Sequence, residues 1–284
     1  MAWIPFAALF WLSAAQAVSA LAQGEYAAPA LRSMQRLGAA AIFGLTILVL
    51  WQMIVVGAEV PTVLLPPPSM IGARIAGSLP ILAEDVAQTF LRGAVVGWII
   101  GCGAAVGVAL LIDRSPFLTR GLLPVGNLAA ALPIVGVAPI MVMWYGADWH
   151  SKAAMVVVMV FFPMLVNTVE GLKAAERMQM DLMRTYAAGY WATMFKLRLP
   201  AAAPFIFNGL KICSTLALIG AIVAEFFGSP TVGMGFRIST EAGRMNVDMV
   251  WAEIAAAAVV GSGFYGLMAL AEKRATFWHP SQRG

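Results

Sequence analysis

Charged side chains are scarce in this 284-residue sequence: Asp, Glu, Lys and Arg make up 11% of it, against 61% for hydrophobic residues. Soluble domains carry about 25% charged residues, so a water-soluble fold would lack the polar surface to cover this much apolar material. Cysteine is nearly absent. Cys102 and Cys213 each sit in an apolar run, where a free thiol behaves as a small hydrophobe, and a disulfide between them is not expected. His150 and His279 stand apart from each other and from both cysteines, which leaves no metal-ligand spacing. No Gly-x-x-x-x-Gly-Lys-Ser/Thr loop occurs, so the chain cannot cradle ATP in the usual way. No nucleophile has a base nearby in sequence, and nothing marks the chain as an enzyme. No internal repeat is visible, which argues against a carrier built from inverted halves.

What the sequence has is apolar length. A membrane span needs about 20 apolar residues to cross a roughly 30 Å hydrocarbon core. The windows Leu37–Val56, Ala87–Ile112, Leu122–Met143, Ala153–Leu172, Ala203–Phe227 and Val250–Leu270 meet that need. They predict an all-α integral membrane protein, a bundle of about six transmembrane helices. A seventh window, Met1–Ala22, carries no charge, and its Ala20-Leu21-Ala22 resembles a small-residue cleavage site. It reads as an extra helix, an uncleaved anchor or an over-long start. Residues 1–36 then form an N-terminal apolar segment with its linker, and residues 37–284 the transmembrane domain.

The net charge of +4 is not a nucleic-acid signal, because the basic residues are spread through short connections instead of one face. Connections 23–36, 113–120 and 173–198 and the C-terminal tail are rich in Lys and Arg, and they alternate with basic-poor connections 57–85, 145–152 and 228–249. By the positive-inside rule the first set faces the cytoplasm. Leu64-Leu65-Pro66-Pro67-Pro68-Ser69 is a rigid stop after the first core helix, and the stretch 71–85 reads as a short helix at the outer surface.

The longest polar insertion runs from Lys173 to Arg198. Strong helix formers fill Ala174–Ala188, with Met180, Met183, Tyr186 and Ala187 on one face and Arg177, Asp181 and Arg184 on another. Such a helix either offers an apolar knob to a cytoplasmic partner or rests on lipid headgroups.

Spacing from Asp181 to Pro200 resembles the cytoplasmic signature of binding-protein-dependent ABC importer permeases: Glu-Ala-Ala, three residues, Gly, nine residues, Ile, one residue, Leu-Pro. Asp181 stands at the Glu position, Ala187 at the Gly position and Leu197 at the Ile position, and Leu199-Pro200 closes the pattern. Leu182 and Met183 replace the two alanines. Further stretches follow the order seen in the nitrate, sulfonate and taurine subfamily: Leu132-Pro133-Ile134-Val135-Gly136-Val137-Ala138-Pro139, Trp144-Tyr145-Gly146, Phe161-Phe162-Pro163, Asn167–Gly171, Ala224-Glu225 and Gly233-Met234-Gly235.

The resemblance implies a bacterial inner-membrane permease subunit that pairs with a second copy or a related chain. It implies a cytoplasmic ATPase dimer carrying ATP and Mg, and an extracytoplasmic binding protein that delivers substrate. The ATPase would be coupled through Asp181, Arg184, Thr185, Ala187, Gly189, Leu197, Leu199 and Pro200. A coupling helix must be stiff, and Leu199-Pro200 is expected to stop it. Ala187 lacks the glycine's access to positive φ, so a left-handed turn is expected to fall on Gly189. The sequence around Phe227–Arg237 leans toward members that carry nitrogen heterocycles such as pyrimidines, thiamine precursors or riboflavin, with sulfonate, taurine or nitrate as the alternative. A secondary carrier remains the competing class, and it should show intramembrane ionisable pairs.

Gly93, Gly97, Gly101, Gly103 and Gly107 form a small-residue stripe that suits close helix packing. Pro133, Pro139 and Pro163 fall inside spans, where kinks either line a pathway or serve packing. Arg92 is expected near the outer end of its helix. Glu225 is a candidate gate residue or a partner for Arg237, against the plain reading of a solvated helix end. Glu170 and Glu253 are weaker candidates of the same kind.

Overall fold

The computed structural model describes residues 3–23, 29–115, 117, 121, 133–228 and 231–278. Among them every regular element is helical. The helices are α1 (Trp3–Gln23), α2 (Pro29–Gly57), α3 (Pro68–Gly77), α4 (Leu79–Arg114), α5 (Ile134–Tyr145), α6 (Trp149–Lys173), α7 (Arg177–Thr185), α8 (Tyr190–Phe227), α9 (Met234–Gly243) and α10 (Val247–Ala275). Five stretches are long and apolar enough to cross a membrane: Gly38–Gly57 within α2, and α4, α6, α8 and α10. These match five of the expected windows. Half of the sixth, Leu122–Met143, falls outside the described residues, and its second half lies in α5.

Several boundaries differ from the expected ones. The linker 23–36 is mostly helix, because α2 begins at Pro29, and proline suits a first helical turn. The stretch 71–85 is split between α3 and the start of α4. Hydropathy delayed the start of α4 to Ala87 because Glu84 and Asp85 interrupt the apolar run, yet Asp85 is fully buried and paired. Arg92 consequently lies 13 residues into its helix, about 20 Å from the start, and its guanidinium donates to Gln88 Oε1 at 3.1 Å.

The chain divides into two compact units, residues 1–79 with 241–252, and residues 80–240 with 253–284. In the first unit α1 lies along α2, with Trp11 tilted against Phe43 at 6.3 Å. The segment Met1–Ala22 thus resolves as a helix, Trp3–Gln23. Trp51 meets the edge of Trp251 at 4.8 Å, and Arg74 donates to Asp248 at 2.7 Å and to Asn246 at 3.2 Å.

The second unit holds the core. Helix α6 packs on α4 and α8 around Cys102, Ala105, Val156, Val160, Met164, Cys213 and Ala217. Both cysteines are free thiols. Part of the glycine stripe sets the helix spacing: a Cβ on Gly97 would stand 2.6 Å from Val156 Cβ, and one on Gly101 2.5 Å from Val160 Cγ2, while Gly103 and Gly107 face open space. Helix α10 closes the unit with Phe264 edge-on to Phe90 and Trp98, each at 5.2 Å.

Candidate functional site

Helix α7 is the short polar helix expected between Lys173 and Arg198, and it is shorter than its composition suggested. Glu176 and Gln179 form a capping box at its start, which satisfies free N–H groups of the first turn. At its end the Ala187 N–H donates to Arg184 O at 2.8 Å and the Ala188 N–H to Met183 O at 2.9 Å, the Schellman pattern that terminates a helix. The left-handed residue is Ala187 itself, at φ 52°, while Gly189 sits at φ −66°. The expectation that Gly189 would supply the turn is therefore corrected. The 6→1 and 5→2 bonds fix the conformation at Ala187, the position the signature gives to glycine.

The exposed apolar face also differs from the one expected. Met178, Leu182 and Tyr186, spaced four apart, are 77%, 55% and 76% exposed, whereas Met180 and Met183 are half-covered. Asp181 and Arg184 pair with each other at 3.1 Å on the surface, and the Thr185 hydroxyl donates to Asp181 O at 3.0 Å. These two bonds hold α7 internally and leave its apolar stripe open.

Leu199-Pro200 does not stop a helix. It lies inside α8, where Met194–Arg198 winds as a π-helical turn and the Leu199 N–H reaches back to Met194 O. A widened turn accommodates a proline that lacks an N–H. Leu197 and Pro200 are half-buried there. Just before it, Arg198 forks onto Asp113, Nη1 to Oδ2 and Nη2 to Oδ1, both at 2.6 Å, and donates to Leu172 O from Nε at 3.1 Å and Nη2 at 3.0 Å. The Tyr190 hydroxyl donates to Asp113 Oδ2 at 2.9 Å, and Arg114 lies over the Tyr190 and Trp191 rings. Neither Asp113 nor Arg198 was singled out from the sequence, because their partnership spans 85 residues.

A second polar cluster occupies the other end of α4 and α8. Glu225 is 2% exposed, which rules out a solvated helix end. Its carboxylate lies 2.9 Å from the Thr89 hydroxyl and accepts the Gly235 N–H at 2.7 Å. The expected partner Arg237 instead pairs with Asp85, Nε to Oδ2 at 2.7 Å. Asp85 also accepts the Gly233 N–H at 2.7 Å, and Thr89 accepts the Met234 N–H at 2.8 Å. Glycine is required at both ends of this turn: Gly233 sits at φ 136°, and a Cβ on Gly235 would stand 2.8 Å from Glu225 Cβ. Glu253 is fully buried beside Asp85. Thr89 lies on Ala87–Val95, a π-helical stretch of the kind frequent at functional sites. Sequence reading found Glu225 and the Gly233-Met234-Gly235 segment and missed Asp85 and Thr89.

Asp85 and Asp113 are 28 residues apart on one helix, about 40 Å at 1.5 Å per residue. Two polar clusters thus bracket a hydrocarbon core about 30 Å thick. Between them Lys211 pairs with Glu272 at 2.5 Å, both largely covered. This ionisable pair was overlooked from sequence. Pro133 is extended at the start of α5 and Pro139 lies within that helix, both exposed. Glu170 pairs with Lys173 at 2.9 Å.

The sequence profile of the family described as binding-protein-dependent transport system inner membrane component matches residues 93–277, which covers α7, the Arg198 strap and the Glu225 cluster except Asp85 and Thr89. The chain belongs to this family of ABC permeases. Among its relatives, the permease is 29% identical over 260 residues to the riboflavin transport system permease protein of Chloroflexus aurantiacus, covering 89% of this chain and 96% of that one. It is 31% identical over 199 residues to the formylaminopyrimidine transport permease protein of Halalkalibacterium halodurans, covering 69% and 77%. It is 28% identical over 249 residues to a putative aliphatic sulfonates transport permease protein of Bacillus subtilis, covering 84% and 86%. The permease is thus a multi-pass bacterial inner-membrane protein and a transport subunit rather than an enzyme.

Proposed function

We propose that this permease is the membrane half of an ATP-driven importer whose cargo is a small organic solute with a nitrogen heterocycle, such as a pyrimidine, a thiamine precursor or riboflavin. The observation that carries the coupling part is the stripe Met178, Leu182 and Tyr186, apolar and exposed on a helix capped at both ends. A rigid helix with an uncovered apolar face suits insertion into a groove of a partner. On this reading a cytoplasmic ATPase pair, holding ATP and Mg, docks on the Asp181–Pro200 region. A second permease chain completes the pathway, and an external binding protein delivers cargo at the opposite end. ATP binding draws the two α7 helices together and shifts the bundle between two packings, and hydrolysis resets it.

The heterocycle reading is supported by the relatives named for riboflavin and formylaminopyrimidine. The sulfonate relative supports a second reading, a sulfonate, taurine or nitrate importer. Ligand binding raises a protein's melting temperature by mass action, so the binding protein encoded with this permease decides between them. A melting shift with pyrimidines or flavins is expected, and a shift only with sulfonates or nitrate would move the cargo assignment. For the coupling reading, Arg184→Glu combined with Ala187→Trp should abolish ATP-driven uptake by the reconstituted complex. Full uptake by that double variant would refute it.

A further inference from the structure

Arg198 occupies the unspecified place in the Ile-x-Leu-Pro part of the signature, so the resemblance assigns it no role. We propose that Asp113 and Arg198 are positioning residues that carry the movement of α7 into α4 and α6. This rests on the reading that an ATPase docks on α7.

Helix α7 is bounded in sequence by Lys173, the end of α6, and by Tyr190, the start of α8. On one side only residues 174–176 intervene; on the other the turn 186–189 is locked by the Schellman bonds. Motion of α7 therefore reaches α6 and α8 through short, ordered connections. Helix α4 has no such connection, because Asp113 and Arg198 are 85 residues apart in sequence. Ala109 and Ile112 of α4 pack in the same apolar core as Val169 and Leu172 of α6, and the strap adds directional bonds to that packing. Arg198 uses four of its five N–H groups, two on Asp113 of α4 and two on Leu172 O near the end of α6. Tyr190 adds a third bond to Asp113 from the first residue of α8. The pair is well covered, at 16% and 14% side-chain exposure, so solvent screens it little. The neighbouring pairs Asp181–Arg184 and Glu170–Lys173 are exposed and each lies within one helix; they tie no elements together. A planar fork fixes orientation as well as distance, which a link transmitting rotation requires.

The test uses the full-length permease in complex with its ATPase, spin-labelled at Arg177→Cys on α7, beside the docking stripe but not part of it, and at Leu111→Cys on α4, both exposed positions. Cys102 and Cys213 are buried and take no label. In the wild-type background ATPase binding should immobilise the label at 177. The 177–111 distance, measured by pulsed EPR, should stay constant between the nucleotide-free and the ATP–vanadate state, because α7 and α4 move as one. With Asp113→Asn that distance should change by about 2 Å or more on trapping, and Asp113→Glu should restore constancy. A purely structural pair would lower the melting temperature of Asp113→Asn and leave the distance constant, which overturns the proposal. Where Asp113→Asn yields no complex, Arg198→Lys carries the same test, since it keeps the charge and gives up the fork. A label at 177 that the ATPase leaves mobile in the wild type refutes the docking reading itself, a result separate from any change in the 177–111 distance.

Discussion

Ala187 holds a left-handed conformation, at φ 52°, that costs a residue with a Cβ about 1–2 kcal/mol. Ala187→Gly should therefore raise the stability of the permease by about 1 kcal/mol, read as a higher melting temperature in detergent; a lower one would show that the turn is not left-handed in solution. Thr89 links Glu225 to the Met234 N–H, and Thr89→Val strips partners from two buried groups. A loss of about 1–3 kcal/mol is expected, and an unchanged melting temperature would count against the cluster. The sequence marked Ala187 as a departure from its signature but could not place the turn, because φ is set by the bonds to Met183 and Arg184. Glu225 was legible as a charge at a span end, while its partner Thr89 lies 136 residues away and leaves no local signal.

At the scale of elements, hydropathy located the spans and misjudged their ends wherever a buried charge had a distant partner, as at Asp85. Small-residue spacing identified the packing face of α4 but not which glycines use it, since that depends on where α6 lies. Gly97→Leu forces a side chain into Val156 and the Ala153 carbonyl and should cost about 1–3 kcal/mol or prevent assembly. At Gly103 a Cβ meets nothing within 4 Å, so Gly103→Leu should leave stability unchanged. Equal losses for the two variants in thermal melts would contradict the assigned α4–α6 contact. On α7 the helical period was read correctly, yet the exposed stripe is Met178, Leu182 and Tyr186 because Met180 and Met183 turn partly inward. The π-helical turn at Met194–Arg198 was invisible to a reading in which proline only stops helices.

The second unit pairs an apolar bundle with a polar cluster at each end of α4 and α8. One cluster fixes the Gly233-Met234-Gly235 turn, and the other ties α4, α6 and α8 together beside α7. Membrane class and family were legible in the sequence, because composition and motif spacing survive without coordinates. The strap and the Lys211–Glu272 pair were not, because each joins residues from separate helices. The central claim is that α7 is the surface on which an ATPase acts. It is tested most directly by affinity purification of the tagged permease from cells that express its own operon, with and without Met178→Asp plus Leu182→Asp. Both side chains are exposed, so the fold should be retained. The wild type should bring down a Walker-motif ATPase and the double variant should lose it while keeping the wild-type melting temperature. Full recovery of the ATPase with the double variant would contradict the account.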